Sequence, residues 1–109
     1  VAGDKVLVAV GRTMQANLRT TDFVARWGGE EFIAMVFNVD QARLAALAEN
    51  IRVLVSRSSV RVTGAEITVT VSIGATLMRP DDDRESLIAR ADALMYRSKQ
   101  GGRNRVTLD

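Results

Sequence analysis

Apolar positions in this chain follow two rhythms, and the places where one gives way to the other divide it into elements. Val6, Leu7, Val10, Met14 and Leu18 recur at helical spacing. They predict a helix over about Lys5–Arg19 with Asp4 as its N-cap. Val6, Val8 and Val10 also alternate like a strand, but the longer pattern decides, and Gly11 weakens the helix. Phe23–Trp27 reads as a strand and Gly28-Gly29 as a hairpin turn, because glycine reaches positive φ without a clash. The return strand, Phe32–Phe37, is apolar nearly throughout, which predicts a central place in a sheet. Asp40 is placed to cap a second helix whose buried stripe is Leu44, Leu47, Ile51 and Leu54. Ser58–Gly64 is a loop with room for a short strand at Val60–Val62.

Beyond it, Ile67, Val69, Val71, Ile73, Ala75 and Leu77 alternate as one long strand. Gly74 within it marks a bulge or a close backbone contact. Pro80 and Asp81–Asp83 break the chain, and Asp82 with Glu85 resembles a capping box. Leu87, Ile88, Ala91, Leu94 and Met95 form the buried face of a third helix ending near Gly101-Gly102, with a last short strand over Arg105–Leu108. The order is that of an α+β sheet with packed helices, one domain over residues 1–109.

Composition narrows the chemistry. With 109 residues the chain can build one core. It has no Cys, which excludes disulfides and thiolates, and no His, which removes the commonest general base and the usual zinc ligands. Acid–base or metal work falls to Asp, Glu, Lys and Arg, and oxygen ligands favour a hard cation such as magnesium. No apolar run approaches a membrane span and no signal-peptide pattern opens the chain. The net charge of +2 hides an acidic run at Asp81–Asp83 and a basic tail of Arg97, Lys99, Arg103 and Arg105. That tail suits a helix C-terminus.

Three short motifs each have a plain and a chemical reading. In "ARWGGEEF", Ala25–Phe32, bare glycine backbone lets a phosphate approach, and paired carboxylates can hold magnesium. The plain reading is a tight hairpin with Glu31 paired across the strands to Arg26. In "RTTD", Arg19–Asp22, a flat guanidinium suits phosphates and bases and the carboxylate suits a purine edge. It is also an ordinary helix end followed by a turn. In "KQGGRN", Lys99–Asn104, two cations four apart around a glycine turn could meet one polyphosphate, or simply close a helix.

Taken together in this order, "GDKVL", "RTTDFVARWGGEEF", "ITVTVSIGAT" and "ADALMYRSKQGGRN" make the chain resemble the GGDEF domain, the catalytic domain of bacterial diguanylate cyclases. The resemblance spans nearly the whole chain. It implies a fold like the palm of class III nucleotidyl cyclases. It also implies condensation of two GTP into cyclic di-GMP with release of pyrophosphate, in a homodimer, with Mg2+ or Mn2+. By the same resemblance Gly28 and Gly29 lie against GTP, and Glu30 binds metal where the 3′-hydroxyl loses its proton. Glu31 supports the metal, Asp4 reads guanine, and Lys99 and Arg103 hold the terminal phosphates. Arg19 and Asp22 match the inhibitory site for product. No nucleic-acid polymer and no membrane contact are implied for this segment, which is expected in the cytoplasm, with tethering of the parent protein left open.

One departure stands out. The family's opening strand and helix, with a D-x-D-x-F-K pattern carrying another metal ligand, have no counterpart here. The chain is therefore expected to be the C-terminal two-thirds of the domain, part of a longer protein. By itself it is expected to have an open sheet edge prone to self-pairing, weakened metal binding and little cyclase activity. Two other functions remain open: a receptor that binds GTP or cyclic di-GMP without turnover, and a structural module that only dimerises.

Overall fold

The computed structural model describes residues 2–109. Helix α1 (Ala2–Ala16) leads into a hairpin of β1 (Phe23–Gly28) and β2 (Glu31–Met35). Helix α2 (Gln41–Arg57) follows, then a second hairpin of β3 (Ser59–Val62) and β4 (Ala65–Thr68). Strand β5 (Ile73–Ala75), helix α3 (Arg84–Gln100) and strand β6 (Val106–Leu108) complete the chain. β1–β2 and β3–β4 are antiparallel, whereas β5 and β6 pair in parallel.

The core lies between the first two helices and the chain entering β5. Val10, Ile51 and Val55 are buried, with Val6, Met14, Phe32, Leu47, Val69, Val71 and Ile73 packed around them. Gly11 now has a reason: the Phe32 ring lies over it, 3.2 Å from where a Cβ would sit. The helical cost of glycine admits an aromatic ring to the α1 surface.

Several expectations are corrected. α1 ends at Ala16 rather than Arg19, and Asp4 lies in its first turn instead of capping it. The helix tightens at its end through bonds from Asn17 N–H to Met14 O and from Leu18 N–H to Gln15 O. β2 pairs with β1 alone and is not central, because no further strand lies beside it among the described residues. The long strand over 67–77 is two strands in different sheets. β3 partners it only as far as Thr68 and β6 only from Ile73. Val69 and Val71, between them, keep their inward alternation without a ladder. Close backbone contact at Gly74 is as expected: a Cβ there would come within 2.1 Å of Met95 N and 2.4 Å of Ala91 O.

The second helix is capped by Asp40, which accepts from Arg43 N–H, but Val55 is buried where Leu54 was expected. The capping box of α3 is displaced by one residue. Asp83 accepts from Ser86 N–H, and Ser86 Oγ receives the Asp83 N–H. Asp82 is withdrawn from that role because Arg90 holds it.

Candidate functional site

The β1–β2 hairpin owes its shape to two local features. Gly28 faces Glu31 across the ladder, which leaves Gly29 and Glu30 as a two-residue turn. Gly29 takes φ +53°, and glycine at the first turn position is what such a tight hairpin favours. One residue earlier the register slips: Arg26 faces Phe32 and Gly28 faces Glu31, so Trp27 is an extra residue in β1. This bulge twists the ribbon just before the turn. The sequence carries no signal for it.

Arg26 does not pair with Glu31. Its Nε donates to Gly29 O at 2.9 Å and so closes the turn from one side. Trp27 is half-exposed, and the Arg84 guanidinium carbon lies 5.8 Å from the centre of its ring, which links the start of α3 to the bulge. Glu30 is exposed and Glu31 partly so. Gly28 and Gly29 lie open, with nothing within 4 Å of a Cβ built on either.

Between the hairpin and α1 is an open concavity of about 300 Å³, lined by residues that include Leu7, Gly11, Arg12, Gln15, Arg26 and Phe32. Asp4 does not line it. Asp4 belongs to a neighbouring concavity of about 350 Å³ with Lys5, Ala9 and Val60, and Val8 and Arg12 border both. Arg12 was not singled out by the motifs.

The cations of "KQGGRN" sit apart from these hollows. Lys99 lies in the last turn of α3, and Arg103 in the turn beyond it at φ +63°. No hydrogen bond or ion pair joins either side chain to Glu30 or Glu31 among the described residues.

Arg19 and Asp22 meet directly. Asp22 is buried and accepts from Arg19 N–H at 3.0 Å, Arg19 Nε at 3.3 Å and Phe37 N–H at 3.0 Å. Arg19 in turn donates from its guanidinium to Phe37 O. The Phe37 N–H does most to hold the Asp22 carboxyl below the usual carboxylate range; burial works against it and Arg19 adds to it. The pair fastens the end of α1 to the end of β2, while the Arg19 side chain remains 52% exposed.

The carboxylates at the bend offer oxygen donors suited to a hard cation, and magnesium commonly takes one or two protein carboxylates and completes its shell from substrate phosphates and water. No cluster of three or more potential metal-binding side chains occurs among the described residues. The donor set thus fits a shared site, completed by a bound polyphosphate, and does not fit an all-protein cage.

Comparison with known proteins identifies the family. The family model described as "Diguanylate cyclase, GGDEF domain" matches residues 1–105. Diguanylate cyclase A of Treponema denticola is 44% identical over 108 residues, which cover 98% of this chain and 29% of that protein. The crystal structure of diguanylate cyclase SiaD of Pseudomonas aeruginosa, in complex with its activator SiaC, superposes with a TM-score of 0.92. Its identity is 34%, over 98% of this chain and 41% of that one. The GGDEF domain of DgcB from Caulobacter crescentus, crystallised with c-di-GMP, gives a TM-score of 0.90 at 39% identity. That match covers 98% of this chain and 64% of the other. The chain spans under a third of the length of curated relatives it matches. The family match over residues 1–105 shows that the chain belongs to the GGDEF diguanylate cyclase family.

Proposed function

We propose that this chain supplies the catalytic hairpin of a diguanylate cyclase that condenses two GTP into cyclic di-GMP. The observation that carries the reading is Gly28. Its φ lies outside the left-handed region, and a Cβ there would meet nothing within 4 Å. Neither backbone strain nor packing calls for glycine at that position. A ligand approaching the bare main chain would account for it.

In this reading each of two facing subunits presents one GTP. The 3′-hydroxyl of one attacks the α-phosphorus of the other; a new P–O bond forms, the bond to pyrophosphate breaks, and the hydroxyl proton leaves toward Glu30. A second such step closes the ring. Gly28 and Gly29 bring main-chain N–H groups to the phosphates, and the Arg26–Gly29 bond keeps the bend in one shape. Glu30 and Glu31 would hold Mg2+ or Mn2+, which offsets phosphate charge and polarises the centre under attack when bound. Asp4 would accept from the guanine edge, and Lys99 and Arg103 would hold the terminal phosphates. Arg19 and Asp22 would form the site at which product restrains the enzyme; the DgcB GGDEF domain, a relative crystallised with c-di-GMP, supports a product site in the family.

The chain is read as the C-terminal two-thirds of the domain. The chain covers 64% of a solved chain described as a GGDEF domain. The 109-residue chain on its own is expected to turn over little GTP. The site reading is tested by Gly28→Ala in the full-length protein. Alanine leaves folding stability unchanged or raises it by up to about 1 kcal/mol, while cyclic di-GMP formation collapses. A variant that retains full turnover overturns the reading.

A further inference from the structure

Ser98 lies within the "ADALMYRSKQGGRN" stretch but is given no role there, yet it is the most enclosed side chain described, at 0% exposure. Its hydroxyl donates to Ile73 O at 2.8 Å and lies 2.6 Å from Thr107 Oγ1. A hydroxyl has one proton. With that proton on Ile73 O, the Thr107 hydroxyl must be the donor in the second bond. One oxygen thus joins α3 to both β5 and β6.

The main chain of the same residue has a second task. Ser98 O accepts the Arg103 N–H at 3.0 Å. Arg103 and the following Asn104 both take left-handed backbone, φ +63° and +47°, which non-glycine residues adopt at some cost. Asn104 is held there by Arg52 Nη1, 2.9 Å from its Oδ1, and the chain rejoins the sheet through Ile73 N–H to Arg105 O at 2.9 Å. Lys99 is next to Ser98 in the helix. Both cations therefore leave the backbone within a segment whose position on the sheet is set at Ser98.

Packing alone would be met by alanine at a fully enclosed position against a strand. A buried hydroxyl pair is costly unless its bonds are made, and once made they fix a geometry. We propose that Ser98, together with Thr107, is a positioning residue that fixes the backbone from which Lys99 and Arg103 reach a nucleoside triphosphate's terminal phosphates. The inference rests on the reading of Lys99 and Arg103 given above.

The test is titration of the full-length protein with a non-hydrolysable GTP analogue and, separately, with GMP, both with Mg2+. Ser98→Ala and Thr107→Val are each expected to weaken the triphosphate about tenfold while GMP changes by less than roughly twofold. Thr107→Val keeps the shape of its side chain, so it carries the test where Ser98→Ala fails to fold. Equal weakening of both nucleotides, or no change in either, overturns the proposal, since a purely structural hydroxyl would not discriminate between them. Lys99→Ala is the control. If it leaves the preference for triphosphate intact, the phosphate-holding reading itself fails and this inference with it; if it alone abolishes that preference, only the role of Ser98 is refuted.

Discussion

Arg90 grips Asp82 at two points: Nη1 lies 2.9 Å from Oδ1 and Nη2 2.5 Å from Oδ2. Asp82 also accepts from Arg79 N–H at 2.8 Å and from Ser86 Oγ at 2.8 Å. Arg90 reaches on to Leu77 O and to the Thr76 hydroxyl, which in turn meets Asp109. The guanidinium thereby joins the loop before α3 to the segments after β5 and β6.

This arrangement sets how the fold responds to acid. Arg90, ahead of the Arg79 N–H, holds the Asp82 carboxyl far below its ordinary range. A carboxyl whose folded value is depressed stabilises the fold fully above the unfolded value, and that contribution is lost as pH falls through the folded one. Stability should therefore decline below about pH 4. Asp82→Asn should be less stable at neutral pH and show a shallower decline in acid, read from thermal melts across the pH series. Superimposable slopes for wild type and variant would count against Asp82 as the source.

Gly74 makes the sharpest prediction for stability. The obstacles to a Cβ there are the Met95 N and Ala91 O of the α3 main chain, which cannot rotate aside. Gly74→Ala should cost about 3 kcal/mol or more in denaturant unfolding, by forcing α3 off β5. An unchanged midpoint would mean that the two elements are less closely seated than described.

Arg19 and Asp22 should separate under mutation even though one motif contains both. The Arg19 side chain is half-exposed, whereas Asp22 is enclosed and already bonded to two main-chain N–H groups. Arg19→Ala should abolish cyclic di-GMP binding in calorimetry and leave the thermal midpoint nearly in place. Asp22→Ala should lower both, because it frees the end of β2 as well. If Arg19→Ala binds like wild type, the product site lies elsewhere.

How much of this was legible in the sequence depended on how far each signal could reach. Asp40 and Gly101 act within a turn of themselves, and the structure has them where the residues pointed; the hairpin bend falls one residue later than the Gly28-Gly29 reading, because Gly28 still pairs with Glu31 and the turn is Gly29-Glu30. Ile51 is followed by apolar residues both three and four positions on, so helical spacing alone could not choose between Leu54 and Val55. The split of the 67–77 run depends on which strands stand beside it, and alternation within a strand says nothing of its neighbours. Asp82 lost the cap to Asp83 because Arg90, eight residues away, claimed it. For the bend, its residue types were readable, but the bulge at Trp27 and the Arg26–Gly29 closure needed the ladder to be seen. Ser98 gave no cue, since a serine in a helix reads as a solvated one.

Trp27 is the only tryptophan in the chain, and it sits immediately before Gly28 with a cation against its ring. Its emission should therefore respond to whatever settles on the bend, by altered quenching and a spectral shift, without any attached dye. Ligand arrival could then be followed in a stopped-flow instrument on the unmodified polypeptide, with Arg84→Gln separating the helix-derived part of the signal from the rest.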